Sequence, residues 1–235
     1  MKTLYRPEGA RMHRADTWKT SAYAFVPYET HFGELCGFAD DVVAPGRGFG
    51  MHSHRDMEIT TLMREGAQRH ADTTGGAHVL GPHAVQTLSA GTGLSHSEMN
   101  DSEHAPFHSY QVWVYPRHKG TAPRYDTFSY RPEQKQNQFL LALSPDRREG
   151  SALIGQDAFF SVAAFEAGKR GRYALRAPGN GVYVHCARGE VLVSGLRLRE
   201  GDAAGFWETG GVDVEAAALA ELVLVEVPMA RGVRV

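Results

Sequence analysis

A chain of 235 residues with 42% hydrophobic and 22% charged side chains has the composition of an ordinary globular protein, long enough for one large domain or two modest ones. Its formal net charge of −2 supplies no excess of cations for nucleic acid or an anionic membrane, and no uninterrupted run of about 18 apolar residues is present to span a bilayer. Its two cysteines, Cys36 and Cys186, lie far apart without Cys-x-x-Cys spacing, and the N-terminus lacks an apolar signal core. A disulfide framework is therefore not expected, and the cytoplasm is the expected location.

Twenty-six glycines and eleven prolines punctuate many short apolar runs, which favours strands and turns over long helices. Residues 1–33 mix Trp18, Tyr23, Phe25, Tyr28 and Phe32 with polar residues without a sustained period, as suits a segment laid over a barrel mouth or a sheet edge. Strand-like runs follow at 34–39 and 42–44, closed by a Pro45-Gly46 turn. Next come 57–63 and 67–71, the latter running into Asp72-Thr-Thr-Gly-Gly76, a hairpin signal. Further candidates are 77–80, 84–88, 93–99 and the aromatic-rich 107–115, ended by Pro116. Residues 117–137 are basic, proline-containing and glutamine-rich, and read as an interdomain connection. The strand rhythm resumes at 139–143, 151–155, 159–165, 182–187, 191–194, 204–207, 212–215 and 222–227. The pattern predicts an all-β chain in two halves, 1–130 and 138–235.

The halves carry a faint repeat. Arg64-Glu-Gly66 followed by Gly81-Pro-His-Ala84 is echoed by Arg188-Gly189 followed by Gly201-Asp-Ala-Ala204, with a shorter spacer in the second copy.

Chemistry concentrates in two stretches. Gly46–Glu58 contains His52 and His54; Gly91–Asn100 contains His96 and Glu98. In an extended chain alternate side chains point the same way, so each pair projects from one face of a strand, and two such strands facing each other inside a barrel supply four metal ligands. Glu58 competes for the carboxylate position, since its even offset from His54 also places it on the ligand face if the strand runs on. Transferring the offsets to the second half lands on Leu175, Ala177, Ala216 and Ala218, which cannot ligate. The other histidines considered, His70, His78, His83, His104, His108, His118 and His185, read as non-ligands, with His108 a candidate to orient a ligand. Cys186 reads as a small buried apolar residue. Gly46–Gly50 is not a phosphate loop, because no Lys-Ser/Thr and no helix follow it.

The combined pattern is stronger than either pair alone. Gly46, five residues, His52-x-His54, three residues and Glu58, then Gly93, two residues, His96, three residues and Asn100, are the two motifs of the cupin superfamily. The runs Arg55-Asp-Met-Glu58, Glu65-Gly66 and Ser89-Ala-Gly-Thr-Gly-x-x-His-Ser-Glu98 resemble the pirin family. The resemblance continues through Tyr110-Gln-Val-Trp113, Thr121-Ala-Pro-Arg-Tyr125 and Leu143-Ser-Pro-Asp146. It departs where Met51 and Ser53 replace prolines common near the first histidines.

The resemblance implies a bicupin, two double-stranded β-helix barrels with metal only in the first, held by His52, His54, His96 and Glu98, with Glu98 rather than Glu58 as the carboxylate. Three imidazoles and one carboxylate leave about two positions open on an octahedral ion. Fe(II) is the expected metal, with Mn, Co, Ni, Cu and Zn also compatible. Some bacterial members are similar to quercetinases, which open a flavonol with dioxygen. The expected activity is therefore flavonol cleavage on a small aromatic substrate, with apolar residues flanking its rings and Glu98 as general base. The other implied reading is a non-enzymatic iron-binding regulator that acts through a protein partner.

Overall fold

The structure is a computed structural model describing residues 1–235. Almost every regular element is a strand, and the strands form two barrels, each from a long sheet and a four-stranded one. In the first, the long sheet orders its strands Arg124–Ser129, Ala84–Ser89, Glu58–Glu65, Phe107–Val114, Leu35–Val43, Lys19–Phe25 and Met12–Ala15; the short sheet orders Gly48–His54, Leu94–Asn100, Gln68–Asp72 and Ala77–Leu80. In the second, the long sheet runs Lys2–Arg6, Ala203–Trp207, Asn180–Arg188, Ala220–Pro228, Phe159–Phe165, Phe139–Ser144 and Ala152–Leu153. Its short partner is Arg170–Ala174, Gly211–Ala216, Glu190–Val193 and Leu196–Arg199.

The alternation of side chains divides each strand of the first barrel between two cores. Leu62, Val85, Tyr110 and Val112 point away from the barrel into a 23-residue cluster shared with Phe160, Tyr183, Val223 and Val225 of the second half. The long sheets therefore pack on each other, and the halves are joined by a common core. Facing inward are Ile59-x-Thr61-x-Met63, Ala84-x-Gln86-x-Leu88 and Phe107-x-Ser109-x-Gln111-x-Trp113. A polar residue sits mid-strand in each, so the interior splits into two five-residue apolar clusters, one with Ile59, Leu88 and Leu94, the other with Met63, Ala84 and Phe107. Between them lies a polar layer. In the second barrel 17 buried residues, among them Tyr173, Val212, Val214 and Ala216 on the strands equivalent to the histidine strands, form one continuous apolar core, and a buried carboxylate, Glu226, accepts from the Tyr173 hydroxyl and the Asn180 amide beside it. The offsets carried over from the first half fall close to these positions, and apolar packing replaces ligands there.

Several features escape the sequence pattern: within residues 1–33, Met12–Ala15 and Lys19–Phe25 are strands of the first barrel's long sheet, and Arg170–Ala174 and Leu196–Arg199 are strands of the second barrel's short sheet. Part of the segment read as a connection is a strand, Arg124–Ser129, at the edge of the first barrel's long sheet. The terminal strands are also exchanged: Lys2–Arg6 pairs with Ala203–Trp207 of the second barrel, and Val233–Arg234 pairs with His31–Phe32 of the first. No helix is long and apolar enough to cross a membrane.

Candidate metal centre

His52 and His54 leave the strand Gly48–His54 on one side, and this strand pairs antiparallel with Leu94–Asn100, setting His96 directly opposite His52. The imidazoles converge, with ring centroids 4.5 Å apart for His52 and His96, 4.7 Å for His52 and His54 and 4.9 Å for His54 and His96. Ligand atoms of the three lie within 4.8 Å of one another. Two nitrogens bound at about 2.1 Å to one ion are at most about 4.2 Å apart, so a small contraction completes the grip. Trp113 packs edge-on to His54 at 5.0 Å, and Phe49 lies 6.3 Å from His52.

Protonation also favours cation binding. His52 Nδ1 lies 2.7 Å from the Gly50 carbonyl oxygen, which can only accept, so Nδ1 donates to it and Nε2 is the nitrogen left to face an ion. Burial, reinforced by the neighbouring imidazoles, holds His54 down to about 4 and His96 down to about 3. Both rings are therefore neutral near pH 7. His96 is 1% exposed, and neither of its ring nitrogens has a hydrogen-bond partner. Leaving such a group unpaired costs about 1–3 kcal/mol.

Glu98 lies one residue pair further in, past a β-bulge between His96 and Glu98, and is 1% exposed. The polar layer is built around it. Thr61, Gln68 and Gln86 donate to its Oε1 at 3.1, 3.0 and 2.8 Å, and Gln111 donates to Oε2 at 2.8 Å. Every donor is neutral. A buried carboxylate held by amides and a hydroxyl lacks a compensating cation, and a carboxylate with converging imidazoles is the donor set that a divalent transition metal takes. The residues therefore fit such an ion. Glu98 falls in a second ligand group with His96 and His70, so His96 is common to both groups.

Glu58 is engaged elsewhere. Its Oε2 accepts the Ser89 hydroxyl at 2.7 Å and the Gly155 backbone N–H at 2.9 Å, which ties it to the seam between the barrels, away from both ligand groups. His108 is not beside the centre either; it faces outward and bonds Asp40 at 2.5 Å. Cys186 is buried in the apolar core of the second barrel. His70 departs from its reading as an ordinary histidine: it is 0% exposed, 5.5 Å from the His96 ring. The signal that could have found it is His70-x-Asp72, the same one-residue spacing on a strand.

A groove of about 460 Å³ opens beside His54, lined by Ser53, Arg55, Thr73, Thr92, Leu94 and Ser95 among others. Its size is within the roughly 300–1,000 Å³ of small-molecule sites. Leu94 is its one apolar residue, which departs from the apolar walls expected for flanking a flavonol.

Known proteins agree with this architecture. Residues 6–114 match the family model described as Pirin, and residues 141–227 match the one described as Quercetinase C-terminal cupin domain. A quercetin 2,3-dioxygenase of Escherichia coli K12 is 32% identical over 215 residues, covering 91% of each chain. The chain belongs to the pirin family. A pirin-like protein of Caulobacter vibrioides is 36% identical over 205 residues, 86% of this chain and 87% of its relative. The crystal structure of the bacterial pirin YhhW of Escherichia coli in complex with nickel(II) matches with a TM-score of 0.90 at 30% identity, covering 97% of this chain and 99% of that one. The pirin fold thus accounts for both barrels, and the chain is a bicupin.

Proposed function

We propose that this pirin-family chain is a metal-dependent dioxygenase that cleaves a flavonol such as quercetin. The observation that carries the reading is the buried pairing of unprotonated His96, without a hydrogen-bond partner on either nitrogen, and Glu98, without a cationic partner. When bound, a divalent transition metal, Fe(II) as the first choice, supplies a Lewis-acid anchor and a redox partner for an electron-rich chelating substrate and dioxygen.

His52, His54, His96 and Glu98 would hold the ion. Glu98 then has one oxygen, Oε1, filled by three donors, and a second, Oε2, bonded only to Gln111. A carboxylate oxygen has about two lone-pair sites, so Oε2 retains one to face the ion or to take the enol proton of the flavonol as general base. Gln111 is itself fixed, since its Oε1 accepts the Trp113 indole N–H at 3.1 Å. That bond orients the amide so that its NH₂ meets Glu98. Trp113 also walls the centre beside His54, offering an aromatic surface to a planar ring.

The test is anaerobic loading with Fe(II), Mn(II), Co(II), Ni(II) or Cu(II), followed by quercetin and oxygen, with the flavonol absorbance band as readout. Loss of the band that depends on metal and oxygen supports the reading, and no loss with any metal near saturating substrate overturns it. The polar lining of the groove favours a second reading, a non-enzymatic iron-binding regulator that meets a protein partner at this face. Its signature is a partner affinity that changes between the Fe(II) and Fe(III) forms without flavonol turnover.

A further inference from the structure

His70 occupies a position that neither the ligand set nor the packing explains. Its Nε2 lies 2.9 Å from Asp72 Oδ2, while Asp72 Oδ1 is fixed by the Thr74 N–H, the Thr74 hydroxyl and the Gly76 N–H at 2.7, 2.5 and 3.2 Å. A carboxylate held by three donors is an acceptor, so Nε2 of His70 donates to it and Nδ1 is the nitrogen left over. That nitrogen is buried and has no hydrogen-bond partner. One flank of the ring is occupied by Tyr125, 4.7 Å away, whose hydroxyl makes no hydrogen bond. Toward the interior, a donor atom of His70 lies within 4.8 Å of donor atoms of His96 and Glu98. A carboxylate-oriented imidazole with its other nitrogen turned to a donor cluster is how metal-binding histidines are set up.

We propose that His70 is a further metal-facing donor, so that beside the four-ligand position of His52, His54, His96 and Glu98 the centre offers an overlapping inner one with His70, His96 and Glu98. The inference rests on the metal reading above and extends it. The ligand class is a divalent transition ion that accepts imidazole and carboxylate together. Since His96 and Glu98 serve both positions, only one ion is held at a time, and it exchanges the two half-exposed histidines, His52 and His54, for the buried His70.

The test uses the full-length protein and Ni(II) or Cu(II) alone. Ni(II) affinity is measured by calorimetry, and the number of imidazoles on Cu(II) by pulsed electron paramagnetic resonance. The double variant His52→Ala/His54→Ala is expected to keep one ion, bound more weakly, with two imidazoles in its spectrum. Adding His70→Phe, which retains a flat ring against Tyr125, is expected to abolish that residual binding. In the same double-variant background, Asp72→Asn is expected to weaken it by about 10–100-fold, the usual effect of losing a partner that orients a ligand. Circular dichroism melts establish that each variant is folded, and Asp72→Asn serves if the His70 change is not tolerated. A folded double variant that binds no ion, or residual binding indifferent to both His70→Phe and Asp72→Asn, overturns the inner position alone. Absence of Ni(II) and Cu(II) binding by the wild type overturns the metal reading itself.

Discussion

Glu98 and Glu58 are both buried carboxylates within reach of the first histidine strand, and they differ in what surrounds them. Around Glu98 are only neutral donors and the His96 and His70 imidazoles. Glu58 instead satisfies a hydroxyl and a backbone N–H at the seam. Replacing Glu98 by Gln keeps the volume and removes the charge, and is expected to lower metal affinity at least tenfold, as read by competition with a chromophoric chelator. Gln111→Leu, which removes the donor to Oε2, is expected to cost about 10–100-fold in the same assay. Glu58→Ala is expected to leave metal content unchanged and to lower stability by about 1–3 kcal/mol, because Ser89 and Gly155 lose their acceptor. Metal analysis and urea unfolding on one preparation separate the two roles.

The two histidine strands work as a unit whose spacing is set by backbone contact. A Cβ at Gly48 would meet the Glu98 carbonyl oxygen at 2.2 Å and Met99 Cα at 2.6 Å. Gly48→Ala is therefore expected to push Gly48–His54 off Leu94–Asn100, weakening metal binding and lowering the thermal midpoint by about 2–4 °C for each kcal/mol lost at this chain length. These strands were legible in the sequence because a period of two on an extended chain leaves its mark directly in His52-x-His54 and His96-x-Glu98. The partners of Glu98 were not. Thr61, Gln68, Gln86 and Gln111 lie on three strands of the long sheet and one of the short, and only the closure of the barrel brings them to one carboxylate. His70 was hidden for a related reason, since its meaning depends on the pairing of Gln68–Asp72 with Leu94–Asn100. The strand Arg124–Ser129 was masked by its basic, proline-flanked setting, although pairing with Ala84–Ser89 decides its conformation.

Across the molecule, the shared core imposes its own pH dependence. His185 is 1% exposed and packs against Phe38 and Tyr110 at 5.1 and 5.0 Å between ring centroids. Burial pushes it down to about 3, with nearby Asp40 opposing the shift and Arg11 reinforcing it. In the unfolded chain an ordinary histidine takes a proton near pH 6.5, while the folded chain refuses it until about pH 3. Between those values the unfolded state holds one more proton, so stability falls as pH drops, by up to about 1.4 kcal/mol per pH unit. His185→Leu is expected to remove that one-proton slope between pH 6 and 4, as read from urea midpoints of wild type and variant at each pH.

The exchange of terminal strands bears on how this molecule is made. During synthesis, the first barrel is complete in ligands and nearly complete in sheet long before its edge partner Val233–Arg234 has been translated, while Lys2–Arg6 must wait for Ala203–Trp207 to appear. Each barrel is thus fastened by a strip of the other's end of the chain, like a belt whose buckle is sewn to the opposite garment. A chain that ended before the second barrel would leave the first half's share of the common apolar core, Leu62, Val85, Tyr110 and Val112 among it, open to water.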